Sequence, residues 1–86
     1  MSGLVRHFGV TVRALRVSRA WSQEQLAEQA CLNRSYVGEI ERGSVIASIV
    51  TAEKLARALD VPIATLLRVP SFPMLAERNL DETISR

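Results

Sequence analysis

Ser22 to Gly43 reads SQEQLAEQACLNRSYVGEIERG, and two capped apolar stripes within it decide the fold. Ser22 precedes the first stripe and Gln25 stands three residues on, so each side chain can accept the other residue's otherwise unpaired backbone N–H. The spacing predicts a helix from Gln23 to about Ala30 with Leu26, Ala27 and Ala30 inward, and the small Ala27 lets a second helix come close. Cys31 and Leu32 make a turn. Asn33, a good N-cap, then starts a second helix with Val37 and Ile40 inward, which Gly43 stops at C′. Arg34, Ser35, Gly38, Glu39 and Arg42 fall off that stripe and are expected to face solvent or a partner. Helix, short turn, helix is the helix-turn-helix pattern.

Working outward, Val5, Phe8, Val12 and Leu15 repeat at helical spacing and predict a first helix from about Leu4 to Arg19. Ser48 can cap a fourth helix with Ala52, Leu55, Ala56 and Leu59 inward, ending at Asp60, which tolerates a left-handed backbone. Pro62 opens a short fifth helix carrying Ile63, Leu66 and Leu67. Pro70 and Pro73 mark a break, after which Met74 to Ser85 has the spacing for a last helix with Leu80 and Ile84 stacked. The expected architecture is all-α, with five helices in residues 1–69 and a C-terminal extension over residues 70–86.

The 86 residues are 48% hydrophobic, enough for one small core whose marginal stability dimerisation would help. Ten of the eleven basic residues are arginine and the net charge is +2. Arg6, Arg13, Arg16 and Arg19 all precede the first acid, Glu24, so the first helix reads either as a phosphate-facing surface or as a solvated helix face. One cysteine and one histidine exclude an internal disulfide and a clustered metal site, and no nucleotide or nucleophile motif accompanies them. No cofactor and no enzyme activity are expected. Arg6 and His7 interrupt any signal-peptide core, and no uncharged apolar run is long enough to span a membrane, so a cytoplasmic location is expected.

Three motifs, SQEQLAEQA at 22–30, RSYVGEIERG at 34–43 and TAEKLARALDVP at 51–62, resemble those of the phage-repressor-like Cro/C1-type (XRE) helix-turn-helix regulators. The likeness runs from Phe8 to Leu67, and the middle segment is most similar to restriction-modification controller proteins. It implies a compact five-helix domain that binds double-stranded DNA as a homodimer on an inverted-repeat operator and regulates transcription by occluding or recruiting RNA polymerase. It also implies base readers at Arg34, Ser35 and Glu39. The Arg34 fork suits guanine O6 and N7, although a phosphate contact alone is the alternative. Glu39 either accepts from cytosine N4 or is an exposed acid kept clear of the groove. Gln23, at the positive end of its helix, takes the family's backbone-phosphate role. Arg42, the Tyr36 hydroxyl and the Asn33 amide are further phosphate candidates, with Tyr36 equally readable as a packing residue with a wet tip. By the same resemblance Arg16 pairs with Glu41 and is structural.

The chain departs from that pattern in places. Ala20 and Cys31 stand where relatives usually have glycine, and a side chain in a left-handed conformation costs about 1–2 kcal/mol, so a rearranged turn at Cys31 is an open alternative. The segment 44–50, SVIASIV, is apolar where relatives are polar, and such a loop is seldom left in water. Val45, Ile46 and Ile49 are therefore expected to join Ile63 and Leu66 at a two-fold interface, the alternative being that Ile49 and Val50 complete the monomer core. Phe72, Met74, Leu75, Leu80 and Ile84 make residues 70–86 a candidate dimer arm or partner site, and with it stands a second functional class, an antitoxin-like interaction protein.

Overall fold

The structure is a computed structural model that describes residues 3–68; the expected extension over 70–86 lies outside them. Five helices form among the described residues, without a strand: α1 (Gly3–Ser18), α2 (Gln23–Ala30), α3 (Arg34–Arg42), α4 (Ile49–Leu59) and α5 (Ile63–Leu67). The N-termini follow the cap chemistry. Ser22 and Gln25 close a reciprocal capping box, with N–H to side-chain distances of 2.7 and 3.0 Å. Asn33 Oδ1 accepts from the Ser35 N–H at 2.7 Å, and Ser48 Oγ from the Thr51 N–H at 3.1 Å. Each satisfies a donor that the helix itself leaves unpaired.

The first four helices stop in one way. Ala20, Cys31 and Asp60 each have φ 59°, and Gly43 has φ 75°. The next N–H then reaches back over the last turn, from Trp21 to the Arg16 carbonyl, Leu32 to Ala27, Ser44 to Glu39 and Val61 to Ala56, at 2.8–3.2 Å. This is the Schellman stop. The turn between α2 and α3 is therefore not rearranged: Cys31 takes the left-handed conformation despite its Cβ, and its N–H points to the Ala27 and Glu28 carbonyls.

The core is a single cluster drawn from α1 to α5, in which Val12, Leu26, Val37, Leu55, Leu59 and Leu66 have no exposed surface. α3 packs on α1 and α2, α2 on α4, and α5 on α1 and α4. Gly9 sets the closest approach. A Cβ there would stand 2.2 Å from the Ile40 carbonyl oxygen and 2.9 Å from that of Glu41, so α1 can lie against the end of α3 only without a side chain. One expectation about the apolar surface is corrected here, and the alternative to it is set aside. Leu66 is wholly buried inside its own protomer and has no surface to give to a partner. Ile49 and Val50 do not complete the monomer core, because they sit on the outer side of the first turn of α4, 81% and 60% exposed.

Candidate nucleic-acid interface

The outward side of α3 and the start of α2 enclose an open polar groove lined by Gln23, Arg34, Ser35, Gly38, Glu39 and Arg42. Arg34, Ser35 and Arg42 are exposed, and Glu39 is half-buried. The chain contains two ion pairs among its described residues, Arg16 with Glu41 and Arg57 with Glu53. Arg34, Arg42 and Glu39 belong to neither. Two exposed cations and one half-buried carboxylate thus stand in the groove without being neutralised by each other, a state in which their charge is available to a ligand.

Behind this surface a buried carboxylate ties three elements together. Glu41, with a side chain 2% exposed, takes Arg16 Nε on Oε2 at 2.7 Å and Arg16 Nη2 on Oε1 at 3.0 Å. Arg16 Nη1 donates to the Trp21 carbonyl at 2.8 Å. Gln23 Nε2 donates to the same Glu41 Oε1 at 3.1 Å. The bidentate fork is the geometry in which an arginine–carboxylate pair is strongest. The hydrogen bond to Glu41 raises the Arg16 guanidinium above the ordinary arginine range, against an opposing effect of desolvation, with the Glu41 charge assisting. Arg16 is accordingly a clamp between α1, the α1–α2 corner and the end of α3, and it is not presented to a ligand.

The other candidate residues divide. Asn33 spends its carbonyl oxygen on capping α3, which leaves its NH2 as the group able to reach a phosphate. Tyr36 is half-buried and packed against the core, with its hydroxyl 3.5 Å from Thr51 Oγ1; its ring is a packing element and only its tip is open to a ligand. Gly38 is buried although it lies on the outward side, because the ends of Gln23 and Arg42 fold over it.

Linear reading missed several contributors. Arg19 donates through Nη2 to the Leu59 carbonyl and stands 5.5 Å over the Trp21 ring, so a residue counted with the basic face of α1 closes the C-terminus of α4. Gly9 carried a usable signal, since glycine inside a helical stripe is disfavoured unless packing demands it.

A second surface is apolar. Leu4, Phe8, Val45, Ile46, Ile49 and Ile63 line part of a groove of about 200 Å3. Ile46 is 76% exposed, while Val45 and Ile63 are half-buried against the core.

The family model described as Helix-turn-helix, HTH_3, matches residues 12–66. The chain belongs to this helix-turn-helix family. It is 34% identical over 70 residues to the HTH-type transcriptional regulator SutR of Escherichia coli strain K12, a match that takes in 81% of this chain but 39% of SutR. Among solved structures it resembles the restriction-modification controller C.AhdI from Aeromonas hydrophila, with a TM-score of 0.70 and 45% identity over 72% of this chain and 94% of that one. It also resembles the controller C.Esp1396I, solved as a tetramer on its natural 35-base-pair operator, with a TM-score of 0.69 and 26% identity over 79% of this chain and all of that one. The all-α helix-turn-helix architecture is common to these folds.

Proposed function

We propose that this helix-turn-helix protein is a sequence-specific DNA-binding transcriptional regulator that acts as a homodimer on an inverted-repeat operator. The observation that carries this reading is the outward side of α3, where Arg34, Ser35, Glu39 and Arg42 line one groove and the charged groups of Arg34, Glu39 and Arg42 enter no ion pair among the described residues. A helix of this size enters the major groove, and side chains near its N-terminus reach base edges. Arg34 and Ser35 are at that end of α3, with Glu39 one turn on from Ser35. We assign base reading to these three and phosphate contact to Asn33, Tyr36 and Arg42, with Gln23 contributing through the amide hydrogen that Glu41 leaves free and the backbone N–H groups at the start of α2. The homodimer is assigned to Val45, Ile46, Ile49 and Ile63. Residues 1–69 are read as the DNA-binding domain and 70–86 as an extension.

Control of a restriction-modification system is the narrower role, and the 45% identity to C.AhdI over nearly that whole controller favours it. The regulator is read as cytoplasmic and non-enzymatic; among the described residues no helix is long and apolar enough to cross a membrane. Selection from a random duplex pool at two salt concentrations, followed by a mobility shift on the winning sequence, tests the reading. The expected product is an inverted repeat with half-sites about 34 Å apart, bound more weakly as salt rises. A pool without enrichment would sink it.

A further inference from the structure

Gly38 occupies the middle of α3 in the groove described above, and glycine inside a helix is less favourable than alanine. Its backbone conformation is ordinary helix, so nothing in φ or ψ requires glycine there. What sets glycine apart from alanine there is the space above its Cα. A Cβ on Gly38 would stand 3.3 Å from Arg42 Nη1, 3.4 Å from Gln23 Oε1 and 3.7 Å from Gln23 Nε2. The first distance is tighter than a methyl group and a guanidinium nitrogen normally keep, so one neighbour must yield.

The two neighbours differ in freedom. Gln23 is anchored by its Nε2 bond to Glu41, which is itself held by the Arg16 fork. Arg42 is exposed and has no ion-pair partner among the described residues. An added methyl group would therefore move Arg42 and leave Gln23. The anchoring also sets which end of the Gln23 amide faces outward. With Nε2 bonded to the buried carboxylate, Oε1 lies closer than Nε2 to the space above Gly38, the same space that Arg42 Nη1 borders.

We propose that Gly38 is a positioning residue for DNA contact: its bare Cα lets the end of the Arg42 guanidinium come close over α3 near the anchored Gln23 amide, at the height from which it reaches a backbone phosphate. The inference rests on the DNA-binding reading, and it adds that the spacing between α3 and the duplex is set by a side chain that is missing.

The test compares Gly38→Ala with the full wild-type chain, in the wild-type background and in Arg42→Ala, on the operator recovered by selection. Gly38→Ala is expected to bind about tenfold more weakly, the equivalent of about 1.4 kcal/mol. The slope of log affinity against log salt should flatten by about 0.9, the value of one lost phosphate contact on duplex DNA. Its melting midpoint should not fall, since alanine favours the helix. In the Arg42→Ala background the same change should cost less than about twofold, because residues that act through one contact are not additive. Binding within twofold of wild type, an equal loss in both backgrounds, or a lowered melting midpoint would each overturn the proposal. A wild-type chain that enriches no duplex would instead remove the DNA-binding reading and this inference with it.

Discussion

Glu41 shows how much one side chain can hold. Its two oxygens receive three N–H donors from Arg16 and Gln23, residues 25 and 18 positions away in the chain. Removing one member leaves a buried charge without compensation, so Arg16→Ala is expected to destabilise the fold by about 3–5 kcal/mol in chemical denaturation. A loss below about 1 kcal/mol would mean that solvent reaches the pair. The raised Arg16 pKa has a definite sign. A group whose folded pKa lies above its unfolded value contributes stability that is complete below the ordinary arginine range and disappears only above it, so neutral-range pH changes leave the arginine side of this clamp intact. Arg34→Ala belongs to the same scale. It should flatten base preference at one position in each half-site, read by competition with singly substituted operators, while preference elsewhere persists. The Arg16–Glu41 pairing was legible through the family resemblance. The engagement of Gln23 was not, because no spacing rule tells a glutamine whether to turn its amide to a phosphate or to a carboxylate beneath it.

Among the elements, the helix starts were the most legible part of the chain. Ser22, Asn33 and Ser48 act on donors two or three residues away, and so local a chemistry needs no knowledge of the fold. The stops were legible in position, and so was the strain at Ala20 and Cys31; not legible was that the chain bears that strain instead of rearranging the turn. Cys31 is exposed, so Cys31→Gly should raise stability by about 1 kcal/mol, checked as a shift in denaturation midpoint with operator affinity unchanged. A midpoint that fell would show that the Cys31 side chain contributes more than its conformation costs. The approach of α1 to α3 over Gly9 was outside local reading altogether, because the atoms it avoids lie more than thirty residues away in the chain.

For the molecule as a whole, the separation of two surfaces matters. A polar groove on α2 and α3 carries the proposed DNA contacts, and an apolar groove on α1, α4, α5 and the intervening loop carries the proposed dimer contact. The apolar character of the loop was readable from composition, and its exposure at Ile46 and Ile49 agrees with the proposed interface. Leu66 could not be assigned from composition, because on a five-residue helix the inward and outward residues differ only by which one the core claims. Ile46 is 76% exposed, so Ile46→Asp should leave the protomer folded while shifting it to monomer in analytical ultracentrifugation. Operator affinity should fall with it, since two coupled half-site contacts become one. Unchanged dimers would take the loop out of the interface.

Trp21 is the chain's one tryptophan, and its place at the α1–α2 corner has an optical consequence. Its ring lies 5.5 Å beneath the Arg19 guanidinium, and its carbonyl is held by Arg16. The tryptophan emission of the unlabelled protein, excited where tyrosine does not absorb, therefore comes from the corner where the buried clamp meets the outer helices. Loosening of that corner should change the emission before circular dichroism registers any loss of helix.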